Sequence, residues 1–200
     1  DPHLKGFRGL GAEVTETEEY VILEPSINGL YGSRISLDMA SVGATANLMI
    51  AAVLMPGQTV IENAAKEPHI VDLANFLNSM GARIKGAGTA VIRIRGQQYL
   101  HGTTYAVIPD QIETGTLMIA AAATHGDVVI HGCIPTHMEA LSAKLLEIGV
   151  VIREDDDRIY VRGKDKYRSV NFKTQYYPGF PTDLQQPLTA LLTVANGTSV

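Results

Sequence analysis

The chain has 200 residues and a formal net charge of −5, from 16 lysines and arginines against 21 aspartates and glutamates. With 46% hydrophobic and 18% charged residues it is not an intrinsically disordered chain, and its acidic balance offers no broad attraction for nucleic acid. Its longest apolar runs, residues 48–55 and 117–123, are far shorter than the roughly 20 residues that span a bilayer.

The predicted elements begin with a helix and two strands within residues 1–23. Residues 43–55 are rich in Ala, Leu and Met, which favours a helix that Pro56-Gly57 ends. Apolar residues recur with helical spacing over residues 68–80. We therefore predict one structural unit in this order: a strand at 35–38, a helix at 43–55, a strand at 59–62, a helix at 68–80, and a hairpin with strands at 83–85 and 91–94.

Three glycines mark an internal repeat. Gly11, Gly81 and Gly149 lie 70 and 68 residues apart, each with an apolar residue four positions earlier and a β-branched residue three positions later. Gly81 is expected just past a helix, where a positive φ is common. Fixed periods of this kind are typical of repeated structural units. We predict an α/β (α+β) fold of repeated β-α-β-α-β-β units, the second of which runs from about residue 105 to 162.

The chain begins and ends in the middle of a repeat. Residues 1–23 correspond to the second half of a unit and residues 170–200 to the first half of another. Because a half-unit buries its apolar face less completely than a whole unit, we expect the chain to be a piece of a longer protein. The alternative, that the two half-units complete each other in a closed, permuted arrangement, remains open at this point.

Four short strings carry a resemblance to a known family. They are Leu37-Asp-Met-Ala-Ser-Val-Gly-Ala-Thr45, Asn63-Ala-Ala-Lys-Glu-Pro-His-Ile-Val-Asp72, Ile108-Pro-Asp-Gln-Ile-Glu-Thr-Gly-Thr116 and Tyr177-Pro-Gly-Phe-Pro-Thr-Asp-Leu-Gln185. Together they closely resemble the UDP-N-acetylglucosamine 1-carboxyvinyltransferases, a family of enolpyruvyl transferases, in register over essentially the whole chain.

The resemblance implies an inside-out α/β barrel of two domains, with residues 1–104 in the first and 105–200 in the second. The substrates would bind in the cleft between the domains. The implied reaction transfers the enolpyruvyl group of phosphoenolpyruvate to the 3-hydroxyl of UDP-N-acetylglucosamine, the first committed step of peptidoglycan precursor synthesis. It implies no metal or organic cofactor and no nucleic-acid partner, and it leaves the oligomeric state unknown. The alternatives are a non-catalytic repeat scaffold and the sister shikimate-3-phosphate branch.

The resemblance also assigns site residues. Asp1 and Pro2 match the end of the uridine-binding segment, while Ser41, Val42 and Gly43 match the turn that holds the UDP part. These assignments would place a diphosphate at a helix N-terminus. Ser41 alone is also typical of a helix N-cap, and the two readings are compatible.

Asp183 matches the aspartate placed at the sugar 3-hydroxyl, where it is the candidate general base. Its spacing to Gln186 also fits a capping box, so helix capping is the competing interpretation. The family's catalytic cysteine loop and C-terminal arginines match no residues of this chain. Gln111 stands where Arg is common and Met39 where some members carry Lys, and each change would weaken a local charge contact.

The single cysteine, Cys133, excludes an internal disulfide and suits a reducing compartment, so we predict a cytoplasmic location. Cys133 is not expected to be a nucleophile, because its equivalent in the repeat is Ala64. Its spacing to His131 and His137 gives only a weak zinc signal, since a fourth ligand is missing. Asp72 is expected to be solvated and to complement a helix dipole.

Overall fold

The computed structural model describes residues 1–200, which divide into two compact units, Asp1–Val107 and Ile108–Val200. Unit 1 contains α1 (Pro2–Gly9), β1 (Ala12–Glu16), β2 (Val21–Pro25), β3 (Arg34–Ser36), α2 (Val42–Ala52), β4 (Gln58–Glu62), α3 (Pro68–Ser79), β5 (Arg83–Lys85) and β6 (Val91–Arg95). Unit 2 contains α4 (Gln111–Ala123), β7 (Asp127–His131), α5 (Glu139–Ile148), β8 (Val151–Asp155), β9 (Arg158–Arg162) and α6 (Gln185–Leu192).

Unit 1 contains one complete copy of the predicted repeat. Strands β3 and β4 are parallel, and β4, β6 and β5 follow in antiparallel pairs to give the order β3-β4-β6-β5. Strands β1 and β2 form a separate hairpin after α1, as predicted for the preceding half-unit. The β-α-β-α-β-β order of residues 34–95 is therefore confirmed.

Local sequence explains these elements. Pro68 occupies the first turn of α3, where its missing N–H costs nothing, and Ile70, Ala74 and Leu77 bury one face of that helix. Gly81 follows α3 with a φ of 100°, and its repeat equivalents Gly11 and Gly149 have φ values of 89° and 112°. The predicted helix ending at Gly81 is confirmed, and the same ending recurs in each copy.

Unit 2 departs from the prediction at both of its ends. Its sheet has only three strands, in the order β7-β9-β8, and no strand precedes α4. The strand expected near residue 105 is absent because the Tyr105 hydroxyl donates to Asp72 Oδ1 at 2.7 Å, which holds this residue on α3 of unit 1. After residue 170, α6 forms, but the strand before it is reduced to the isolated bridges Arg168↔Asn196 and Thr174↔Phe180.

The helices α2 and α4 share the string Leu-Met-Ile-Ala-Ala but bury different parts of it. In α2, Leu48 is fully buried and Ile50 is 50% exposed, whereas in α4 Leu117 is 49% exposed and Ile119 is 2% exposed. Leu48 is covered by α1, while α4 packs against α6. The same five residues therefore turn different faces to their units.

The longest helix, α4, has 13 residues, and none of the helices has the length and apolar character of a membrane span.

Candidate functional site

Helices α1 and α2 of unit 1 run side by side in the same direction. A Cβ added to Gly6 would lie 2.5 Å from Leu48 Cδ1, and one added to Gly43 would lie 2.8 Å from His3 Nε2. His3 meets Gly43 and, further along both helices, Gly6 meets Leu48. The N-termini of the two helices consequently lie at the same end of the pair.

Each of these N-termini is capped by a residue that the resemblance assigns to the site. Asp1 Oδ1 accepts a hydrogen bond from the backbone N–H of His3 at 2.7 Å, and Pro2 takes the first helical position. Ser41 Oγ accepts from the backbone N–H of Ala44 at 3.3 Å. The predicted N-cap role of Ser41 is confirmed, and its cap leaves other N–H groups of the first turn free.

His3 connects the two caps and was not identified from the sequence. Its Nδ1 lies 3.0 Å from Asp1 Oδ1, while Nε2 faces the backbone of Gly43. Nothing in the local pattern relates positions 3 and 43, because the contact depends on how α1 packs on α2. A side chain at position 43 would displace the ring of His3 from its present position.

A second link joins α1 to the segment before α2. Lys5 Nζ donates to Asp38 Oδ1 at 2.5 Å, and both side chains are largely exposed. An exposed ion pair of this kind adds little stability. It does place a lysine near the segment that contains Met39, which is itself 54% exposed and stands where some members of the family carry Lys.

The chemistry available at this end of unit 1 is anion binding. In the first turn of α2 the backbone N–H groups of Val42 and Gly43 have no partner in the chain. These groups and the positive ends of the two helix dipoles favour a phosphate or diphosphate group, against the negative charge of the Asp1 carboxylate that caps α1. The structure places Asp1 and Pro2 at the N-terminus of α1 and Ser41, Val42 and Gly43 at the N-terminus of α2, and the contact between His3 and Gly43 brings the two ends close together.

Asp183 lies in unit 2, in a 3-10 turn at Thr182–Leu184 that leads into α6. On either side of it, Phe180 and Leu184 are 5% and 1% exposed. Phe180 packs against Phe172 with ring centroids 5.2 Å apart, and its carbonyl accepts from the N–H of Gln175 at 2.9 Å. Two buried neighbours therefore hold the backbone of Asp183 in place.

The competing interpretation of Asp183 as a helix cap is wrong. Leu184 occupies the N-cap position of α6, and no side-chain hydrogen bond caps that helix. The one-residue displacement arises because the chain makes a 3-10 turn before the α-helix begins. The Asp183 carboxylate is exposed and makes neither a hydrogen bond nor an ion pair within the chain.

Gln111 is the first residue of α4, and the preceding Asp110 caps that helix. Asp110 Oδ1 accepts from the N–H of Ile112 at 2.7 Å. The cap is made by Asp110 and not by the side chain of Gln111, so it does not require a basic residue at position 111.

Cys133 is 4% exposed and its Sγ faces the carbonyl oxygens of Ile130 and Asp157 at 3.6 and 3.7 Å. Burial raises the pKa of the Cys133 thiol, and the negative charge of Asp157 acts in the same direction. The thiol is therefore a poor nucleophile at neutral pH, as predicted. No three His, Cys, Asp or Glu side chains gather in the chain to hold a metal ion.

The environment of Asp72, which was expected to be solvated, was predicted wrongly. It lies in the second turn of α3, is 8% exposed, and accepts the hydrogen bond from Tyr105. This hydrogen bond raises the pKa of Tyr105, with burial and the negative charge of Asp72 adding to it. Its role is to hold the segment after β6, because its carboxylate is turned to Tyr105 rather than to solvent.

Known proteins resemble this chain over its whole length. A UDP-N-acetylglucosamine 1-carboxyvinyltransferase 2 from Geobacillus kaustophilus is 58% identical over 200 residues, which are 100% of this chain and 46% of the relative. A UDP-N-acetylglucosamine 1-carboxyvinyltransferase from Clostridium botulinum is 55% identical over 200 residues, 48% of that protein. The chain thus spans about half the length of the curated relatives it matches.

The fold is that of an enolpyruvyl transferase. The crystal structure of the enolpyruvyl transferase NikO from Streptomyces tendae matches with a TM-score of 0.83 at 23% identity, covering 97% of this chain and 49% of that one. The profile of the EPSP synthase (3-phosphoshikimate 1-carboxyvinyltransferase) family matches residues 1–200. Both the predicted fold class and the resemblance seen in the four strings are confirmed, and the chain belongs to this family of enolpyruvyl transferases.

Proposed function

We propose that the protein transfers the enolpyruvyl group of phosphoenolpyruvate to the 3-hydroxyl of UDP-N-acetylglucosamine, with release of phosphate. The observation that carries this proposal is the identity of 58% and 55%, over every residue of the chain, with two relatives named for that activity. We further propose a place in peptidoglycan precursor synthesis, hence in cell shape and division, and a cytoplasmic location.

In this proposal the paired N-termini of α1 and α2 bind the UDP part of the sugar nucleotide. Asp1 and Pro2 contact the uridine side, and the turn of Ser41, Val42 and Gly43 contacts the diphosphate. The shared direction of the two helices supports this assignment, because both dipoles then favour negative charge at one place.

Asp183 is proposed as the general base. Its carboxylate accepts the proton of the sugar 3-hydroxyl as the new C–O bond forms, and phosphate is the leaving group of the overall reaction. The absence of any internal partner for the carboxylate supports this role, since a base must have its lone pairs available to the substrate. The assignment of residues 1–104 and 105–200 to the two domains of the family stays a prediction.

The test is an assay of phosphate release by the complete protein. We expect turnover with phosphoenolpyruvate and UDP-N-acetylglucosamine and none when shikimate-3-phosphate replaces the sugar nucleotide. Turnover with shikimate-3-phosphate, and none with UDP-N-acetylglucosamine, would assign the protein to the EPSP synthase branch that the family profile describes. Failure of both acceptors would favour the non-catalytic scaffold.

A further inference from the structure

One face of the unit 1 sheet carries positive charge that nothing in the chain neutralises. Arg83 and Lys85 on β5 and Arg93 and Arg95 on β6 are all exposed, while the residues between them, Ile84 and Ile94, are buried. These four cations are called the basic sheet face. The ion pairs of the chain all involve other residues.

The register of the two strands places like charges directly opposite each other. Arg83 pairs with Arg95, and Lys85 pairs with Arg93. Such pairs lie about 5 Å apart across the strands, and like charges in this position destabilise a sheet. The four cations form a two-by-two array whose mutual repulsion an anionic partner would relieve.

The neighbouring strand supplies no free anion to this array. On β4, Gln58 lies opposite Arg95 and Val60 lies opposite Arg93. The only carboxylate on that strand, Glu62, is already bound to Arg34 with Nη1 and Oε1 2.8 Å apart. The excess charge is therefore confined to β5, at the edge of the sheet, and to the adjoining strand β6.

The equivalent sheet in unit 2 shows that the repeat does not require this arrangement. There, Asp127 lies opposite Arg162, their charged atoms being 3.8 Å apart, and Val151 takes the place of Arg83. Tyr160 takes the place of Arg93, and the Arg153 guanidinium lies 5.8 Å from its ring centroid. Arg153 and Arg162 thus each have a partner, and no like charges lie opposite each other on β8 and β9.

We propose that the basic sheet face docks an extended acidic segment of a partner protein. Alternate side chains of an extended strand point to one side at intervals of about 7 Å, which is also the distance between successive cations on β5 and on β6. Carboxylates at alternate positions of such a segment would each meet one cross-strand pair. Arginine binds carboxylates with two parallel hydrogen bonds, which adds geometric selectivity. This inference does not depend on the proposed enzymatic function.

Nucleic acid fits the same face less well. The array contains no aromatic side chain on which a base would stack, and the chain as a whole has a net charge of −5. A long polyanion would experience that repulsion, whereas a short acidic segment would contact the array alone.

The experiment uses fluorescence anisotropy to measure how a labelled peptide of alternating Glu and Thr binds to the complete protein, at low and at physiological salt. A Gln-Thr peptide and a single-stranded oligothymidine are the comparison probes. We expect the Glu-Thr peptide to bind best, and Lys85→Gln/Arg93→Gln to weaken it by about tenfold or more, as loss of one charge-assisted hydrogen bond does. Arg153→Gln/Arg162→Gln, on the equivalent face of unit 2, is the matched control and should bind as the unaltered chain does.

The melting temperature keeps this test independent of folding. Lys85→Gln/Arg93→Gln should melt at or above the temperature of the unaltered chain, because it removes a like-charge pair. Arg83→Gln/Arg95→Gln provides a second variant with the same expectation. Unchanged peptide affinity in both variants, equal binding of the Gln-Thr peptide, or tighter binding of the oligothymidine would each overturn the proposal.

Discussion

Asp183 is held by its neighbours and not by its own side chain. The buried Phe180 and Leu184 fix the backbone on either side, while the carboxylate has no partner in the chain. Replacing that carboxylate therefore changes its chemistry without removing a structural contact. This separation makes position 183 a direct test of the proposed base.

Asp183→Asn in the complete protein should lower kcat by about 10²–10⁴-fold, because an amide does not accept the proton of the sugar hydroxyl. UDP-N-acetylglucosamine binding and the melting temperature should change little. Steady-state kinetics, a binding titration and a thermal melt on one preparation check this. Asp156→Asn, in the exposed turn between β8 and β9, is the control. A kcat equal to that of the control would contradict the assignment.

Cys133 should behave as a small buried apolar residue. Because its thiol is buried and its pKa is raised, a thiol reagent such as dithiobis(nitrobenzoate) should label it slowly in the native chain and rapidly after unfolding. Cys133→Ala should retain most of the activity and cost about 1 kcal/mol or less of stability. Rapid native labelling, or loss of activity in a folded variant, would show that the thiol has a chemical role.

At the scale of elements, sequence patterns located the helices and the hairpin well because their causes are local. Pro68 begins α3, Ser41 caps α2, and Gly81 ends a helix in the left-handed conformation. The strand predicted near residue 105 failed because a contact between distant residues decided its place. The hydrogen bond from Tyr105 to Asp72 spans 33 positions and leaves no local trace in the sequence.

Tyr105→Phe should lower the melting temperature at neutral pH, since Asp72 loses its hydrogen-bond donor. The pKa of Tyr105 is raised in the folded chain, so the bond contributes fully below the ordinary tyrosine pKa of about 10 and is lost as pH rises through the raised value. The difference between Tyr105→Phe and the unaltered chain should therefore shrink above about pH 10. Melts from pH 7 to 11 check this. Because Phe keeps the ring that packs against Phe76, equal melting temperatures of the two proteins at neutral pH would show that the hydroxyl contributes nothing and that Tyr105 acts only by packing.

At the scale of the whole molecule, the internal repeat was visible in the spacing of glycines before any contact was known. That spacing, with the four strings, was enough to predict the fold class. The pairing of the N-termini of α1 and α2 was not predictable, because it depends on Gly6 and Gly43 admitting close neighbours. Asp183 was found by resemblance, yet only the 3-10 turn in the structure shows that Asp183 does not cap α6.

Residues 1–200 expressed alone should show no enolpyruvyl transfer. The resemblance assigns the catalytic cysteine loop and the arginines that neutralise phosphoenolpyruvate to segments that match no part of these residues, and such charge stabilisation is usually the largest catalytic contribution. Phosphate release should be followed with both substrates present. Turnover at about 1 per second or faster, the range of ordinary enzymes, would contradict this expectation.

The string shared by α2 and α4 has a consequence for how substitutions in such repeats are transferred from one copy to another. A polar residue at Ile50 would face solvent, but the same change at Ile119 would bury an unpartnered polar group; the pair Leu48 and Leu117 reverses that order. The substitutions that α2 tolerates at these positions would therefore predict the wrong result for the aligned positions of α4.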